Sequence, residues 1–386
     1  VIKQGSTPKL IDLFCGCGGM SLGAARAGFN VVSGVDKDSR ALKAHSLNFP
    51  NAKHLNFDIG QTSGSELLEK SGVARGALDV LAGGPPCQGF STMGKRDVDD
   101  ARNSLIFDFF RLVKEIKPKA FVLENVPGIL HEKYAAILEA ALEIVRKEYN
   151  VLKPEPIRAC DVGAPTLRKR VFIVGCLKSL GELSANFWTP YDKPDVTPVV
   201  RHALAGLPFD INPDWKSCAG GIRTVKVGRK GFFFDSATSR IPVGVGHEAS
   251  IRTYQETYSV TGCWGTKHSE DLEGRYATLA AGKSDSKTKS TRLDPNGYCP
   301  TLRAGTGPDR GSFQAVRPIH YLRPRVITPR EAARLQGFPD WFQFDETKWH
   351  SFRQIGNSVS PLVSEYVMQR VIGALKNVDR SSSSAT

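Results

Sequence analysis

Lys9-Leu10-Ile11-Asp12-Leu13-Phe14-Cys15-Gly16-Cys17-Gly18-Gly19-Met20-Ser21-Leu22-Gly23-Ala24-Ala25-Arg26-Ala27-Gly28 is the stretch that decides the fold. The apolar run up to Phe14 reads as a buried strand, a glycine-rich turn follows, and from Met20 the spacing is helical and closes on Gly28. Strand, turn and helix make the first unit of a nucleotide-type cradle. A dinucleotide site needs Gly-x-Gly-x-x-Gly to carry a pyrophosphate over the helix N-terminus, and these glycines do not keep that pattern, which argues against NAD. The next apolar run, Val31 to Val35, ends at Asp36, where a carboxylate can accept from a ribose diol. Asn56-Phe57-Asp58-Ile59 marks a third strand end, with Asp58 placed to accept from an adenine amino group. Ribose and adenine acceptors without a diphosphate site point to S-adenosyl-L-methionine.

Three further blocks carry chemistry. Gly83-Gly84-Pro85-Pro86-Cys87-Gln88-Gly89-Phe90-Ser91 follows the apolar run Leu78 to Ala82 and holds one thiol on a stiff turn, because proline fixes φ and glycine lets a ring approach the backbone. Lys119-Ala120-Phe121-Val122-Leu123-Glu124-Asn125-Val126 is a continuous apolar strand that stops at a carboxylate. In a doubly wound sheet the ligand crevice lies outside the carboxyl ends of the strands, so Cys87 and Glu124 are expected to share a site. Thr166-Leu167-Arg168-Lys169-Arg170 leads into the apolar run Val171 to Gly175 and brings guanidinium groups to the same sheet.

These blocks, in this order, resemble the cytosine carbon-5 DNA methyltransferases of prokaryotes. Two more join them: Arg325-Val326-Ile327-Thr328-Pro329-Arg330-Glu331-Ala332-Ala333-Arg334-Leu335-Gln336-Gly337-Phe338-Pro339 and Gln354-Ile355-Gly356-Asn357-Ser358-Val359. The resemblance covers the chain except about 178–320. It implies an α/β fold: a doubly wound, Rossmann-like S-adenosylmethionine-dependent methyltransferase sheet with a second, smaller, loop-rich, β-containing DNA-recognition domain. It also implies the reaction. Cytosine carbon 5 is a poor nucleophile, and addition of a thiolate at carbon 6 makes it an enamine able to attack a sulfonium methyl group. By the resemblance Cys87 is that thiolate, Glu124 the acid at ring N3, and Arg168 and Arg170 the groups on the base carbonyl that also lower the thiol pKa. The base that removes the carbon-5 proton is not identified by any residue, and water can serve. Cofactor contacts are implied for Phe14, Gly16, Gly18, Gly19, Asp36, Lys37, Asp58, Ile59, Pro86, Leu105, Asn357 and Ser358, leaving S-adenosyl-L-homocysteine as product. Lys37 stands where the family often has an aromatic residue, and Thr166 where it often has Gln.

Composition agrees. The chain of 386 residues has a formal net charge of +13, which suits a polyanion such as double-stranded DNA. From Lys178 to Arg330 there are 22 Lys and Arg against 14 Asp and Glu, so the positive surface is expected in the stretch without family motifs. Gln88, Ser91, Lys95, Arg96, Arg223, Arg229 and Arg303 are the expected DNA contacts, Arg303 within Pro300-Thr301-Leu302-Arg303-Ala304-Gly305-Thr306-Gly307. Pro190, Pro194 and Pro198 open this region, and its glycines favour short strands and loops over helices.

The expected divisions are a catalytic and cofactor-binding domain at 1–178, a target-recognition domain at 179–345, a C-terminal helix at 346–378 that returns to the catalytic domain, and a disordered tail at 379–386. Thr328 should cap a helix that has Pro329 first, and the last helix should run from Pro361 to Leu375. Eight cysteines show neither a disulfide framework nor zinc spacing, so no metal is expected and the setting is a reducing cytoplasm, with nucleoid association through DNA. No apolar run nears the roughly 20 residues that span a bilayer. Val1 rather than Met stands first, so the native start is expected upstream. A tRNA methyltransferase of the same family would carry a Cys-Phe-Thr triplet, which is absent, and a silent relative would lack the Pro-Cys pair or the Glu-Asn-Val acid, which are present. A monomeric modification enzyme is expected, with a cognate restriction endonuclease as an open partner.

Overall fold

The computed structural model describes residues 7–86, 104–181, 183, 186–188, 198–213, 223–224, 234–305 and 316–383. The chain starts with alternating strands and helices: β1 (Lys9–Leu13), α1 (Gly19–Ala27), β2 (Asn30–Val35), α2 (Ser39–Asn48), β3 (Lys53–Leu55), α3 (Gly64–Ser71), β4 (Val80–Gly83), α4 (Ser104–Ile116) and β5 (Ala120–Asn125). Helix starts follow local chemistry. Asp38 accepts from the Arg40 and Ala41 amides to open α2, and Ser63 accepts from the Glu66 amide to open α3, caps worth about 1 kcal/mol each. Then come α5 (Glu132–Arg146), β6 (Tyr149–Val151), β7 (Glu155–Arg158) and β8 (Lys169–Leu177).

The strands form one sheet in the order β3-β2-β1-β4-β5-β8-β6, with β7 on the same edge of β8 as β6. The first five are mutually parallel, and β8 runs antiparallel to β5 with Glu124 opposite Phe172 and Asn125 opposite Val171. Both faces of the sheet are buried, so the central strands read as unbroken apolar runs. Ile11, Leu13, Phe121, Leu123, Val171 and Ile173 face α3, α4 and α5. Leu10, Ala120, Val122, Phe172 and Val174 face the other way, toward α1 and a C-terminal helix.

After β8 come α6 (Val200–Leu204), β9 (Arg223–Thr224), a π-helical turn at Phe234–Ser239, α7 (Glu248–Thr257), β10 (Ser259–Val260) and α8 (Glu270–Thr278). The expectation of short strands in preference to helices is corrected here. β9 and β10 form a two-residue ladder, while α7 and α8 supply more of the described structure.

The chain returns through α9 (Pro329–Leu335), α10 (Lys348–Asn357) and α11 (Pro361–Ser383). Thr328 caps α9 as expected, in a reciprocal box with Glu331 and with Pro329 first. The C-terminal segment is two helices rather than one, and α11 continues to Ser383, which corrects the tail expected from 379 onward. α11 lies against α1. Gly19 and Gly23 permit this, since a Cβ there would sit 2.3 Å from the Val359 carbonyl oxygen and 2.4 Å from the Glu365 amide nitrogen. A further apolar cluster joins Cys17 and Leu22 to Val200, Leu204, Leu302, Ala332 and Ile355, so the middle region and the returning helices share a core with α1. Arg334 grips Asp340 through Nε at 2.8 Å and Nη2 at 2.7 Å, and Arg325 grips Glu331 at 2.9 and 2.8 Å, all in that buried junction.

Candidate active site

The carboxyl ends of β1, β2, β4 and β5 open on a cavity of about 840 Å³. The first wall is the turn after β1. Phe14 adopts a left-handed φ of 57° and Gly16 one of 56°, and a Cβ on Gly16 would meet nothing within 4 Å, which leaves a backbone surface facing open space. Gly16 donates to Asp36 Oδ2 at 2.8 Å and the Asp38 amide donates to Oδ1 at 2.8 Å. Burial raises the Asp36 pKa, and these two amides oppose the rise. Gly18 does not line the cavity. Its φ of 104° starts α1, and the edge of Phe49 fills the place that a side chain would take, so the position serves the turn.

Across the mouth, Lys37 Nζ pairs with Asp58 Oδ2 at 2.7 Å, and that hydrogen bond leads the causes that lower the Asp58 pKa. Lys37 is thus turned to Asp58 instead of offering a stacking face, whereas Phe57, not singled out in the sequence, lines the cavity. Ile59, Pro86, Leu105, Asn357 and Ser358 line it too. The Ser358 hydroxyl is directed inward, donating to the Gln354 carbonyl at 2.8 Å and lying 3.0 Å from Cys17 Sγ.

The second wall holds the charged pair. Glu124, the last but one residue of β5, is only 8% exposed, and Arg170 Nε lies 2.8 Å from its Oε1. The antiparallel sense of β8 explains the meeting: the start of that strand lies beside the end of β5. Burial raises the Glu124 pKa, opposed chiefly by Arg170 and then Arg168. A Cβ on Gly84 would come 2.9 Å from Glu124 Oε2, and Asn125 Nδ2 donates to the Pro85 carbonyl at 3.3 Å. The Gly84-Pro85-Pro86 turn is therefore held against the carboxylate.

Arg168 is redirected. It is 2% exposed, and Nη1 donates to the carbonyls of Leu302 at 3.1 Å and Gly356 at 2.9 Å, with Nη2 on that of Asn357 at 3.3 Å. These main-chain acceptors hold the ends of its guanidinium, and Arg168 also lines the cavity beside Glu124.

Cys87, Gln88, Ser91, Lys95, Arg96 and Arg229 lie outside the described residues. Arg223 is in β9, and Arg303 is exposed beside α10. Sequence reasoning also passed over Asp12. It lines the cavity at 1% exposure, accepts from Ser21 Oγ at 2.6 Å, and is pushed by burial to a pKa of about 7. Its signal was its place in β1, an acid inside an apolar strand. Among the described residues no His, Cys, Asp and Glu group is arranged to hold a metal ion, and no helix is long and apolar enough to cross a membrane.

Known proteins resemble this chain in sequence and fold. The family model for C-5 cytosine-specific DNA methylase matches residues 8–373. The chain is 39% identical over 378 residues to the Type II methyltransferase M.XorII of Xanthomonas oryzae, covering 96% of this chain and 85% of that protein. It is 30% identical over 405 residues to the Type II methyltransferase M.DdeI of Desulfomicrobium norvegicum, covering 96% and 90%. Among solved structures, a prophage-encoded protein of E. coli described as a DNA modification methyltransferase superposes with a TM-score of 0.86 at 45% identity, covering 96% of this chain and 100% of that one. The Dnmt2 methyltransferase of S. pombe shares the fold, with a TM-score of 0.61 at 16% identity over 95% and 98%. With a family model spanning nearly its whole length, the chain belongs to the C-5 cytosine-specific DNA methylases.

Proposed function

We propose that the enzyme methylates carbon 5 of a cytosine flipped out of double-stranded DNA, through a covalent adduct of Cys87 at carbon 6. The Glu124–Arg170 pair beside the Gly84-Pro85-Pro86 turn carries this reading, since that turn is held against a buried carboxyl group and Cys87 is the next residue in the sequence. Attack by the thiolate moves electron density to ring N3. Glu124, biased toward its protonated form by burial, holds a proton there, while Arg170 orients the carboxyl group and offers its remaining N–H groups to the carbonyl at carbon 2. Once carbon 5 carries the transferred methyl group, loss of its proton to water expels the thiolate and restores the aromatic ring.

The cavity fits S-adenosyl-L-methionine. Phe14 offers an aromatic face, the open backbone at Gly16 admits the ligand closely, and the amide-held Asp36 carboxylate retains lone pairs for a ribose diol. Asp58, Ile59 and Asn357 complete the rim. When bound, that cofactor supplies the electrophilic methyl group. We assign target reading to the segment between β8 and α9, with Arg303 near the DNA. The names of the Type II relatives support a modification role in a bacterial restriction system, with an endonuclease of the same specificity as partner.

A duplex with 5-fluorocytosine at the target tests the mechanism, because fluorine cannot leave as a proton does. Wild type should be trapped covalently and Cys87→Ser should not, though it still binds DNA. Turnover by Cys87→Ser near the wild-type rate would refute the adduct.

A further inference from the structure

Three successive carbonyls, those of Leu302, Arg303 and Ala304, lie against the guanidinium groups of Arg168 and Arg317. Arg168 takes the first at 3.1 Å. Arg317 takes the second at 2.7 Å and lies 3.5 Å from the third, with its guanidinium carbon 4.3 Å from the ring centroid of Phe352 in α10. Gly356 closes the remaining side, since a Cβ there would come 2.4 Å from the Ala304 nitrogen and 2.5 Å from the Arg303 carbonyl carbon. Upstream the same loop is laced to the lead into β8: Leu167 donates to the Cys299 carbonyl and Cys299 to the Pro165 carbonyl, both at 2.9 Å.

Loop carbonyls at a surface are ordinarily satisfied by water, and covering them with arginines requires those cations to be desolvated. Burial alone lowers the Arg317 pKa to about 10. Among the described residues no carboxylate pairs with Arg317 to offset that cost. The arrangement fixes the loop relative to two other things. One is the end of α10, where Asn357 and Ser358 meet the cavity. The other is β8, where Arg170, two residues after Arg168, holds Glu124.

We propose that Arg317, acting with Arg168, is a positioning residue for target fidelity: it holds the main chain at Arg303 and Ala304 so that side chains leaving this loop meet the DNA at a set distance from the Glu124–Arg170 pair. This rests on the assignment of target reading to the segment between β8 and α9. A wrong base pair is rejected only if the loop cannot shift to relieve the misfit, so a slack loop accepts near-matches. Arg317 need not touch DNA to act in this way.

The test uses the full chain as wild type, Arg317→Gln, Arg317→Lys and Arg303→Ala. Bisulfite sequencing of DNA from a host without cytosine methylation defines the wild-type motif. Duplexes with that motif, or with one base pair changed, then give the ratio of kcat/KM values. Arg317→Gln should lower that ratio about tenfold, part of the discrimination that one base pair carries. Its melting temperature and S-adenosylmethionine affinity should stay near wild type, which a merely structural role would not predict. Arg317→Lys, reaching one carbonyl at a time, should fall between. An unchanged ratio in Arg317→Gln overturns the proposal, as does failure of both Arg317 variants to fold, which would make the guanidinium a fold determinant. If Arg303→Ala alone relaxes the motif, the clamp fails and the placing of recognition stands; if Arg317→Gln alone relaxes it, the clamp stands and the assignment of Arg303 fails.

Discussion

Replacing Arg170 with methionine removes the cation from Glu124 while keeping most of the stem. The Nε–Oε1 separation is 2.8 Å and the two side chains are 15% and 10% exposed, so solvent screens them little. At an effective dielectric of about 20 their attraction is about 6 kcal/mol. Desolvation of the guanidinium, which methionine does not bear, cancels part of this, and breaking such a pair costs about 3 kcal/mol when the acid stays ionised. An unfolding entropy of about 2.1 cal/mol/K per residue over 386 residues gives about 0.8 kcal/mol/K, so the expected loss is about 4 °C in Tm.

The pH dependence separates this account from a simple packing loss. Burial already raises the Glu124 pKa against the pull of Arg170 and Arg168, and without Arg170 it rises further. The folded variant then holds a proton that the unfolded chain releases near a pKa of about 4.3. That contribution is full below the unfolded pKa and fades as pH rises through the folded one. The Tm gap between wild type and Arg170→Met should therefore widen from pH 5 to pH 8. Calorimetric melts of wild type, Arg170→Met, Glu124→Gln and the double variant measure it. A gap that is constant or narrows with pH, or losses that add within about 0.5 kcal/mol, would refute the coupling.

Asp36→Ala removes an acceptor that two amides hold toward the cavity, and loss of a hydrogen bond to a charged group at about 1.5–3 kcal/mol should weaken S-adenosylmethionine binding roughly tenfold to a hundredfold by calorimetry; unchanged affinity would remove Asp36 from the site. Glu124→Gln should lower the single-turnover rate while leaving cofactor affinity within about threefold, and an affinity loss matching that of Asp36→Ala would show the two carboxylates misassigned. Gly23→Ala sets a methyl group 2.4 Å from the Glu365 amide nitrogen, so α1 and α11 must part; a cost of about 1–3 kcal/mol should appear in chemical denaturation, and a neutral result would mean that this contact is loose.

The strands and the acids at their ends were legible because burial on both faces leaves an unbroken apolar run that stops where the chain meets the crevice, as at Val35–Asp36 and Leu123–Glu124. The cap of α9 was legible because Thr328 and Glu331 interact locally. α7 and α8 were not. Tyr254 and Tyr276 are their only buried residues, which gives no period to read among the glycines around them. The sense of β8 was hidden too, since an apolar run reads alike in either direction. So was the target of Arg168: its partners lie 134 to 189 residues away and are main-chain carbonyls, which carry no side-chain signature. Ser381 to Ser383 look like a frayed end by composition, yet they extend a helix that packing of its earlier turns has already nucleated.

The same long-range contacts bear on how recognition can be altered. Val200, Ala203 and Leu204 of α6 pack in one cluster with Ala332 and Leu335 of α9 and with Ile355 of α10, and Leu293, Cys299 and Leu302 belong to it as well. Arg334 adds a tie from α9 to the Ala203 carbonyl at 3.0 Å. An exchange that cuts near 180 and 320 therefore severs a core shared with the cofactor-facing helices, and a foreign insert would have to rebuild it. Placing the joins after Leu207 and before Leu293 keeps α6 and Leu293 to Leu302 native and keeps the Arg168 and Arg317 contacts with Leu302 to Ala304, so an insert need only resupply the part of the core made by Ala237, Val245, Tyr254, Val260 and Cys263. Under the proposed placement of target reading, the outer faces of α7 and α8 can vary because the fold does not depend on them. The loop at Arg303 is different, being bound by Arg168, Arg317 and the close approach of Gly356.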